Sequence, residues 1–579
     1  MIEGPGTDAI TLEVVEHALA SVADEMALVL MRSAYSPVVR DTMDYSTALC
    51  DRHGCVVAQG LTLAVQLGTF PTMMRHLLAE HGETAGEGDV FVTNDPYGYG
   101  GQHLPDIYVV APIFVAGELE GWAATMAHHA DVGGIAPGSI AVHATEIFQE
   151  GLRLPLIKLV ERGVVNETLL RILERNTRQP TQVVGDLHAQ LAACRTGERG
   201  LVDLVARYGP EARGHLASLQ ALAERAMRSE IAALADGSYV FADVVDGFGE
   251  VPEPIVIQVT ATVRGDELEL DFTGTSPQVD ASLNCPVGMI HAASYCAVRG
   301  ITRSRIPNCE GYMAPIRVIA PEGTVVNPVL PAACGARGVI GYRVYDAIMG
   351  ALAQVVPDRV VAAGEGGPTL VAFGGYDERR RPFVTTEVIV GAWGARATLD
   401  GMEGVSNPLA NLSNGPIELL ESDLPLEIVR YGLVQDSGGA GRRRGGLAYE
   451  REYRVRAERA TLTIRSDRRF TPPYGLEGGL PGAHSRNTLL EGDAERDVPP
   501  MPMEAFELRH GDRFRHRSAG GGGFGSPAER EPAAVLADVV AEKVSVEAAQ
   551  TLYGVVLTDA VPYEVDADAT AALRAGRLG

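Results

Sequence analysis

The chain has 579 residues, 49 Lys and Arg against 75 Asp and Glu, a formal net charge of −26 at pH 7, and 46% hydrophobic residues with 66 Gly and 34 Pro. That length exceeds a single hydrophobic core and predicts about two to four folding units, and the composition excludes a disordered chain. The acidic balance speaks against non-specific nucleic-acid binding, which needs a cationic footprint.

No run approaches the roughly 18 to 20 apolar residues of a membrane span, and "MIEGPGTDAITLEVVEH" lacks the basic start and apolar core of a secretory signal. Seven scattered cysteines, an odd number, fit a reducing compartment better than a disulfide framework, so a cytoplasmic location is expected. Cys50 and Cys55 flank "DRHG", but one such pair is a weak zinc signal and reads as small residues around a tight turn. Lysine occurs only at Lys158 and Lys543, and no G-x-x-x-x-G-K-[ST] is present. A P-loop and a kinase-type lysine are therefore excluded, and any ATP would be held by another chain.

In chain order, residues 8 to 35 place apolar side chains at three- and four-residue intervals, which predicts an amphipathic helix. "STALCDRHGCVVAQG" predicts two short strands around a His-Gly turn, and "FPTMMRHLLAEHG" a second helix. More helices are expected from about 165 to 235. "IVIQVTATVRGDELELDFTGTS" alternates around an Arg-Gly-Asp turn as a hairpin does, and residues 289 to 301 read as helix. Beyond about 385 the text is glycine-rich with short strands. "DSGGAGRRRGGLAYEREYRVRAERATLTIRS" reads as strand, turn, strand, and "VSVEAAQTLYG" as a last helix. The expected class is mixed α/β and multi-domain. A helical and hairpin-containing N-terminal unit spans 1–235, a middle α/β unit 236–395, and a β-rich unit 396–579, with boundaries good to about 15 residues.

The chemistry concentrates in "NDPYGYGGQHLPDIYVVAPIFVAGELEGWAATMAHHADVGG", residues 94 to 134. "IYVVAPIFV" and "GWAATMA" are strand-like and "AGELEG" is turn-like, so a hairpin centred near Glu118 is predicted. That centre sets Asp106 opposite Asp131 and Val109 opposite His128, with facing residues roughly 5 Å apart. "HLPD" and "HHAD" then converge. Two imidazoles with two or more carboxylates suit a divalent cation of borderline hardness, zinc, manganese or iron. His128 and His129 are adjacent and point to opposite faces of an extended segment, so one is a ligand candidate and the other a neighbour or buried structure. The bland alternative is a hydrogen-bonded His103–Asp106 pair with a satisfied core histidine. Pro105 and the glycines before it argue against a helical pair.

"MDYSTALCDRHGCVVAQG", "GDVFVTNDPYGYGGQHLPDIYVVAPIF", "MAHHADVGGIAPGS", "EIFQEGLRLPLIKL", "DSGGAGRRRGG" and "GDRFRHRSAGGGGFGSPAERE" with "VSVEAAQTLYGVV" resemble the hydantoinase B family over about residues 8 to 557. That family includes N-methylhydantoinase and 5-oxoprolinase B parts, caprolactamase-type lactamases, and large subunits of acetone and acetophenone carboxylases. The resemblance implies a metal held by His103, Asp106 and His128 and by an upstream acid in "DTMDYS". Asp41 takes that position and Asp44 the second acidic one, with Asp41 the first choice. Asp131, His129 and Asp44 become candidates for proton transfer, and Asn94 and Asp95 for substrate contact. It further implies an A-type ATPase subunit carrying ATP and Mg, in a hetero-oligomer such as A2B2, which phosphorylates the amide oxygen of a cyclic amide. Water acidified by the cation on this chain would then open the ring. Two alternatives remain: a subunit of a ketone carboxylase using bicarbonate, and a non-catalytic scaffold for the ATPase.

Two further motifs carry weaker signals. "AGGGGFGSP", 519 to 527, has the backbone of an anion cradle or of a tight structural turn. "GRRRGG", 441 to 446, is a basic spot that suits a phosphorylated intermediate, an acidic partner patch or a solvated hairpin tip. "SRIPNCEG" and "GEGG" are loop-like, and Lys158 follows an apolar run.

Overall fold

The computed structural model describes residues 8–576 apart from 140 and 368, so the first seven residues of the N-terminal segment lie outside the described ones. The first helix, α1 (Ala9–Ser33), is capped by Asp8, whose carboxylate accepts from the N–H groups of Ile10 and Thr11. Its buried residues, Val15, Leu19, Ala23, Met26, Ala27 and Leu30, form one stripe at the helical period. Burying the larger of these contributes about 1.5 to 3 kcal/mol each. The stripe packs beside the helix Pro180–Tyr208, where Gly197 has no side chain to strike Met26: a Cβ there would lie 2.6 Å from the Met26 sulfur.

These helices cover one face of a seven-stranded antiparallel sheet. It comprises β1 (Tyr45–Asp51), β2 (Val56–Gln59), β3 (Val90–Thr93), β4 (Asp106–Val115), β5 (Glu118–His128), β6 (Ile157–Glu161) and β7 (Val164–Val165), in the order β2-β1-β5-β4-β3-β6-β7. Alternation sorts the strands. Ile107, Val109, Ala123 and Ala127 face α1 and the helix Pro180–Tyr208, whereas Tyr108, Val110, Trp122 and Met126 pack with the helix Phe70–His81 on the other face.

A second sheet, β8 (Gly237–Val245), β9 (Ile255–Arg264), β10 (Glu267–Asp271) and β11 (Ile316–Ile319), is ordered β11-β10-β9-β8. It packs with the helices Val287–Gly300 and Gly338–Leu352 in the largest apolar cluster. The second of these helices is buried along its whole length and carries no sequence signal of its own. Its apolar residues surround it, so no amphipathic period marks it.

The remaining strands are β12 (Thr369–Tyr376), β13 (Pro382–Ile389), β14 (Leu426–Leu433), β15 (Tyr449–Val455), β16 (Arg459–Arg465), β17 (Arg486–Glu491), β18 (Ala494–Val498), β19 (Phe506–Arg509) and β20 (Arg513–Arg517). They form the sheets β13-β12-β16-β19 and β14-β15-β20-β17-β18. The first joins residues from both sides of the division expected near residue 395. β15 and β16, read together as a strand, turn, strand unit, belong to different sheets, because β15 pairs with β14 and β20 whereas β16 pairs with β12 and β19. The fold is mixed α and β, as expected. Among the described residues no helix is long and apolar enough to cross a membrane.

The glycine runs form a packed layer. The N–H groups of Gly520, Gly521, Gly522, Gly523, Phe524 and Gly525 donate to the carbonyls of Ala483, Gly446, Ala363, Leu480, Arg443 and Leu476. A Cβ at Gly445, Gly520 or Gly521 would run into backbone carbonyls. The anion-cradle reading of "AGGGGFGSP" therefore fails, since those donors are already used. In the basic spot next to it Arg444 is committed, pairing with Glu403 at 2.8 Å and with Asp538 at 3.5 Å, while Arg442 is exposed and 3.7 Å from Glu529.

Candidate metal centre

The hairpin of β4 and β5 turns through Ala116 (φ 52°) and Gly117 (φ 84°), the two left-handed positions of a two-residue hairpin loop. A register shift lies between Ile113 and Phe114. The turn thus lies earlier than Glu118, and the pairing differs by three residues from the predicted one. Asp106 faces His128, and Val109 faces Thr125. The correction tightens the cluster, because the two ligand candidates are now direct neighbours.

The same row continues onto β1. Tyr45 pairs with Ala127, and the His128 N–H donates to the Asp44 carbonyl at 3.0 Å. Asp44, His128 and Asp106 thus stand in line across three adjacent strands, which are spaced about 4.8 Å apart. His103 enters from the turn before β4, where the Asp106 N–H donates to the His103 carbonyl. Donor atoms of His103, Asp106 and His128 all lie within 4.8 Å of one another, and all three residues are buried.

The hydrogen bonds around the cluster leave specific atoms unused. His103 Nδ1 lies 3.2 Å from the Gly335 carbonyl, so it carries the proton and Nε2 carries the lone pair. That Nε2 lies 3.3 Å from Asp106 Oδ1, and neither atom has a hydrogen-bond partner. Two buried acceptors facing each other repel unless a proton or cation sits between them. His128 Nδ1 is likewise unpartnered. An imidazole that donates one N–H to a backbone carbonyl and offers the other nitrogen is how metal-ligating histidines are usually oriented. The residues present fit a divalent cation.

Electrostatics agree. Burial, reinforced for His103 by Arg337 and for His128 by His103, lowers the two imidazoles to about 4 and about 3, so both are neutral near pH 7. Burial opposes ionisation of Asp106, but His103 and the Arg337 guanidinium outweigh it and hold its carboxyl well below the ordinary range. Arg337 Nη2 donates to Asp106 Oδ2 at 2.6 Å and to Gln102 Oε1 at 3.1 Å. Asp44 is raised to about 7, by burial first and by Asp106 second, although Gln66 Nε2 donates to its Oδ1 at 2.7 Å.

Around these groups lies a small cavity of about 40 Å³, walled by Asp44, Gln66, His103, His128, Arg337, Gly338, Tyr342 and Arg465, with Leu63, Val65, Leu370 and Leu412 among its apolar residues. Gln66, Arg337, Tyr342 and Arg465 are additions to the sequence reading. They arrive from other elements, and only the buried run around residues 334 to 345 could have drawn notice.

The other candidates are placed elsewhere. Asp41 closes a short helical turn, makes a bidentate ion pair with Arg40 at 2.9 and 2.8 Å, and lines an outer groove. The left-handed Met43 (φ 61°) separates it from Asp44, so Asp44 and not Asp41 reaches the cavity. Asp131 lies beyond β5, outside the cavity, and accepts from the N–H groups of Gly133, Gly138 and Arg178 and from the Arg178 guanidinium, which ties its loop together. His129 points to the opposite face, where Nε2 lies 3.0 Å from Gln190 Oε1. Asn94 fastens the loop by donating to the Leu104 and Leu152 carbonyls and accepting from Leu154 N–H. Asp95 accepts from Tyr97 N–H and lies 3.8 Å from Arg153. Lys158 pairs with Asp89 at 2.9 Å, and all seven cysteines are free thiols.

With this geometry in hand, known proteins give consistent matches. The Hydantoinase B/oxoprolinase family profile matches residues 8–527. The B component of a putative D-/L-hydantoinase from Pseudomonas sp. (strain NS671) is 35% identical over 98% of each chain. The crystal structure of ATP-dependent caprolactamase from Pseudomonas jessenii superposes with a TM-score of 0.90 at 31% identity, covering 98% of this chain and 100% of that one. Nucleotide-free acetone carboxylase also superposes with a TM-score of 0.90, over 99% of this chain and 83% of that one, but at 21% identity it shows a shared fold alone. The chain belongs to the Hydantoinase B/oxoprolinase family.

Proposed function

We propose that this chain is the metal-bearing B-type component of a two-component, ATP-dependent hydrolase of cyclic amides of the hydantoin, oxoproline or lactam kind. The names of its relatives, the B component of a hydantoinase and an ATP-dependent caprolactamase, support the class. The observation that carries the site is the buried, unpartnered facing of His103 Nε2 and Asp106 Oδ1.

An unstrained amide is a poor electrophile, and phosphorylating its oxygen activates the carbon so that water adds, the ring C–N bond breaks to free the amine, and the acyl phosphate left behind is hydrolysed to carboxylate and phosphate. With no P-loop on this chain, ATP and Mg belong to an A-type ATPase partner, in a hetero-oligomer such as A2B2. A divalent cation, zinc or manganese before iron, held by His103, Asp106 and His128 would acidify water and offset oxyanion charge at the carbon under attack. The chain's own groups do the rest. The Gly335 carbonyl fixes the His103 tautomer, and Arg337 keeps Asp106 ionised and aimed. Asp44, with its carboxyl near 7, is matched to accept the proton of the attacking water at Oδ2 while Gln66 holds Oδ1. The apolar wall keeps bulk water away from the reacting atoms. The ketone-carboxylase alternative, with bicarbonate as co-substrate, rests on the shared fold. The scaffold alternative leaves the unpartnered donors without a purpose.

Coexpression with an A-type ATPase, followed by ATP hydrolysis assays against lactams, hydantoins and 5-oxoproline, and against ketones with bicarbonate, tests this reading. Ring-opened product from a cyclic amide, lost in His103→Ala, is expected. Ketone carboxylation without amide hydrolysis, or full activity in the variant, would overturn it.

A further inference from the structure

Arg465 is the last residue of β16, opposite Leu370 of β12, and it ends in the cavity wall. It is 5% exposed, and neither Nε nor Nη1 has a hydrogen-bond partner. Among the described residues it forms no ion pair. A buried guanidinium with an acid, Asp44, only within its field and not in contact is costly, the more so when another guanidinium stands near it. Here Arg337 is that neighbour, and it is itself committed to Asp106 and Gln102.

A second feature points into the same space. The helix Gly338–Leu352, 15 residues long, begins at the cavity, and its N-cap, Arg337, makes no capping hydrogen bond. The positive end of the helix dipole thus faces the same void. Gly338 lines that void, where a Cβ would come into ordinary contact, 3.4 Å from Tyr342 and 3.5 Å from Arg465 Nη2.

Size narrows the occupant. One water needs about 10 to 15 Å³ of such space, so 40 Å³ holds a cation and about two or three further oxygen-sized atoms. A substrate ring does not fit, but the oxygens of a compact oxyanion do. Charge narrows it further. Two guanidiniums and a divalent cation outweigh Asp44 and Asp106, an excess that a dianion matches better than a monoanion.

We propose that Arg465 and the N-terminus of the helix Gly338–Leu352 form an oxyanion subsite that takes the phosphoryl group of the activated substrate beside His103, Asp106 and His128. This rests on the hydrolase reading and adds to it the residues that receive the phosphate. The ring lies outside the cavity and the phosphoryl oxygens lie inside. Once water has added to the carbon, the ring C–N bond breaks with a proton passing to nitrogen, a second water cleaves the acyl phosphate so formed, and inorganic phosphate remains there.

The test is calorimetric titration of inorganic phosphate, and separately of acetate, into the metal-loaded chain, with melting temperature and metal content as controls. Wild type should bind phosphate at least tenfold more tightly than acetate. Arg465→Gln should weaken phosphate binding about tenfold or more at unchanged metal content, and Arg465→Lys should fall between. Arg442→Gln, an exposed arginine outside the site, should leave it unchanged. Phosphate binding that is absent from wild type, unaltered in Arg465→Gln and Arg465→Lys, or no tighter than acetate would overturn the subsite. Retained metal and retained cyclic-amide hydrolysis would leave the parent reading standing in that case.

Discussion

Two clusters of buried charge lie a short distance apart along the helix Gly338–Leu352, and they are built on opposite plans. In the first, Arg343 and Arg468 are fully buried and bridge three acids. Arg343 meets Asp243 at 3.2 Å and also binds Asp467, while Arg468 meets Asp346 at 2.7 Å and Asp243 at 3.3 Å. That network ties β8, the helix and the segment after β16 together. In the second cluster, His103 Nε2, Asp106 Oδ1, His128 Nδ1 and two nitrogens of Arg465 have no partner at all. Burial is equal in the two, so burial alone does not mark function. What separates them is how the acids and lone pairs are met. In the structural cluster Arg343 Nε and Arg468 Nε lack partners but every carboxylate meets a guanidinium. The ligand site leaves lone pairs facing each other and a guanidinium outside any ion pair among the described residues.

Stability reads that contrast most plainly. Arg343→Met should destabilise the protein by about 3 to 5 kcal/mol in chemical denaturation, because it strands Asp467 without its cation and leaves Asp243 with Arg468 alone. His103→Ala in metal-free protein should cost far less, since it removes an acceptor facing another acceptor. Equal losses would erase the distinction.

A pH series on metal-free protein probes the wall behind the second cluster. Glu150 accepts from the N–H groups of Cys334 and Gly335, the latter residue holding His103, yet burial raises its carboxyl from 4.5 to about 7. The folded state keeps the proton at a pH where the unfolded chain has released it. Its contribution is therefore complete below about pH 4.5 and is lost as pH rises to about 7, a change of about 3 kcal/mol. Denaturation midpoints should fall between about pH 4.5 and 7 more steeply in wild type than in Glu150→Gln; parallel slopes would contradict the assignment.

Smaller still is the expected effect of Asp44→Asn: turnover about 100-fold down with metal content kept, read by steady-state assay and elemental analysis. Asp41→Ala, by comparison, should change metal content and turnover little and stability by no more than about 0.5 kcal/mol.

The sequence made half of this visible. Alternation in "IYVVAPIFV" and "GWAATMA" was enough to bring His103, Asp106 and His128 together, because a hairpin converts separation along the chain into adjacency. It was not enough for the register: a two-residue loop at Ala116 and Gly117 and an irregularity at Ile113 moved the pairing by three and carried Asp131 out of the site. A single left-handed residue, Met43, decided between Asp41 and Asp44, and methionine gives no sign of that conformation. Arg337 and Arg465 come from elements more than 200 residues downstream, so no local pattern links them to "HLPD". The glycine run failed in the other direction, since a motif that suits phosphate also suits backbone packed on backbone.

If the unpartnered donors hold a metal, elemental analysis of the purified chain, before and after chelation and reloading, must find it. Wild type should carry about one equivalent of zinc, manganese or iron. His103→Ala and His128→Ala should lose nearly all of it, with Asp41→Ala and Asp131→Asn unaffected. A wild-type chain that takes up no metal on reloading, or His103→Ala and His128→Ala proteins that keep all of it, would show that these side chains are not a metal site.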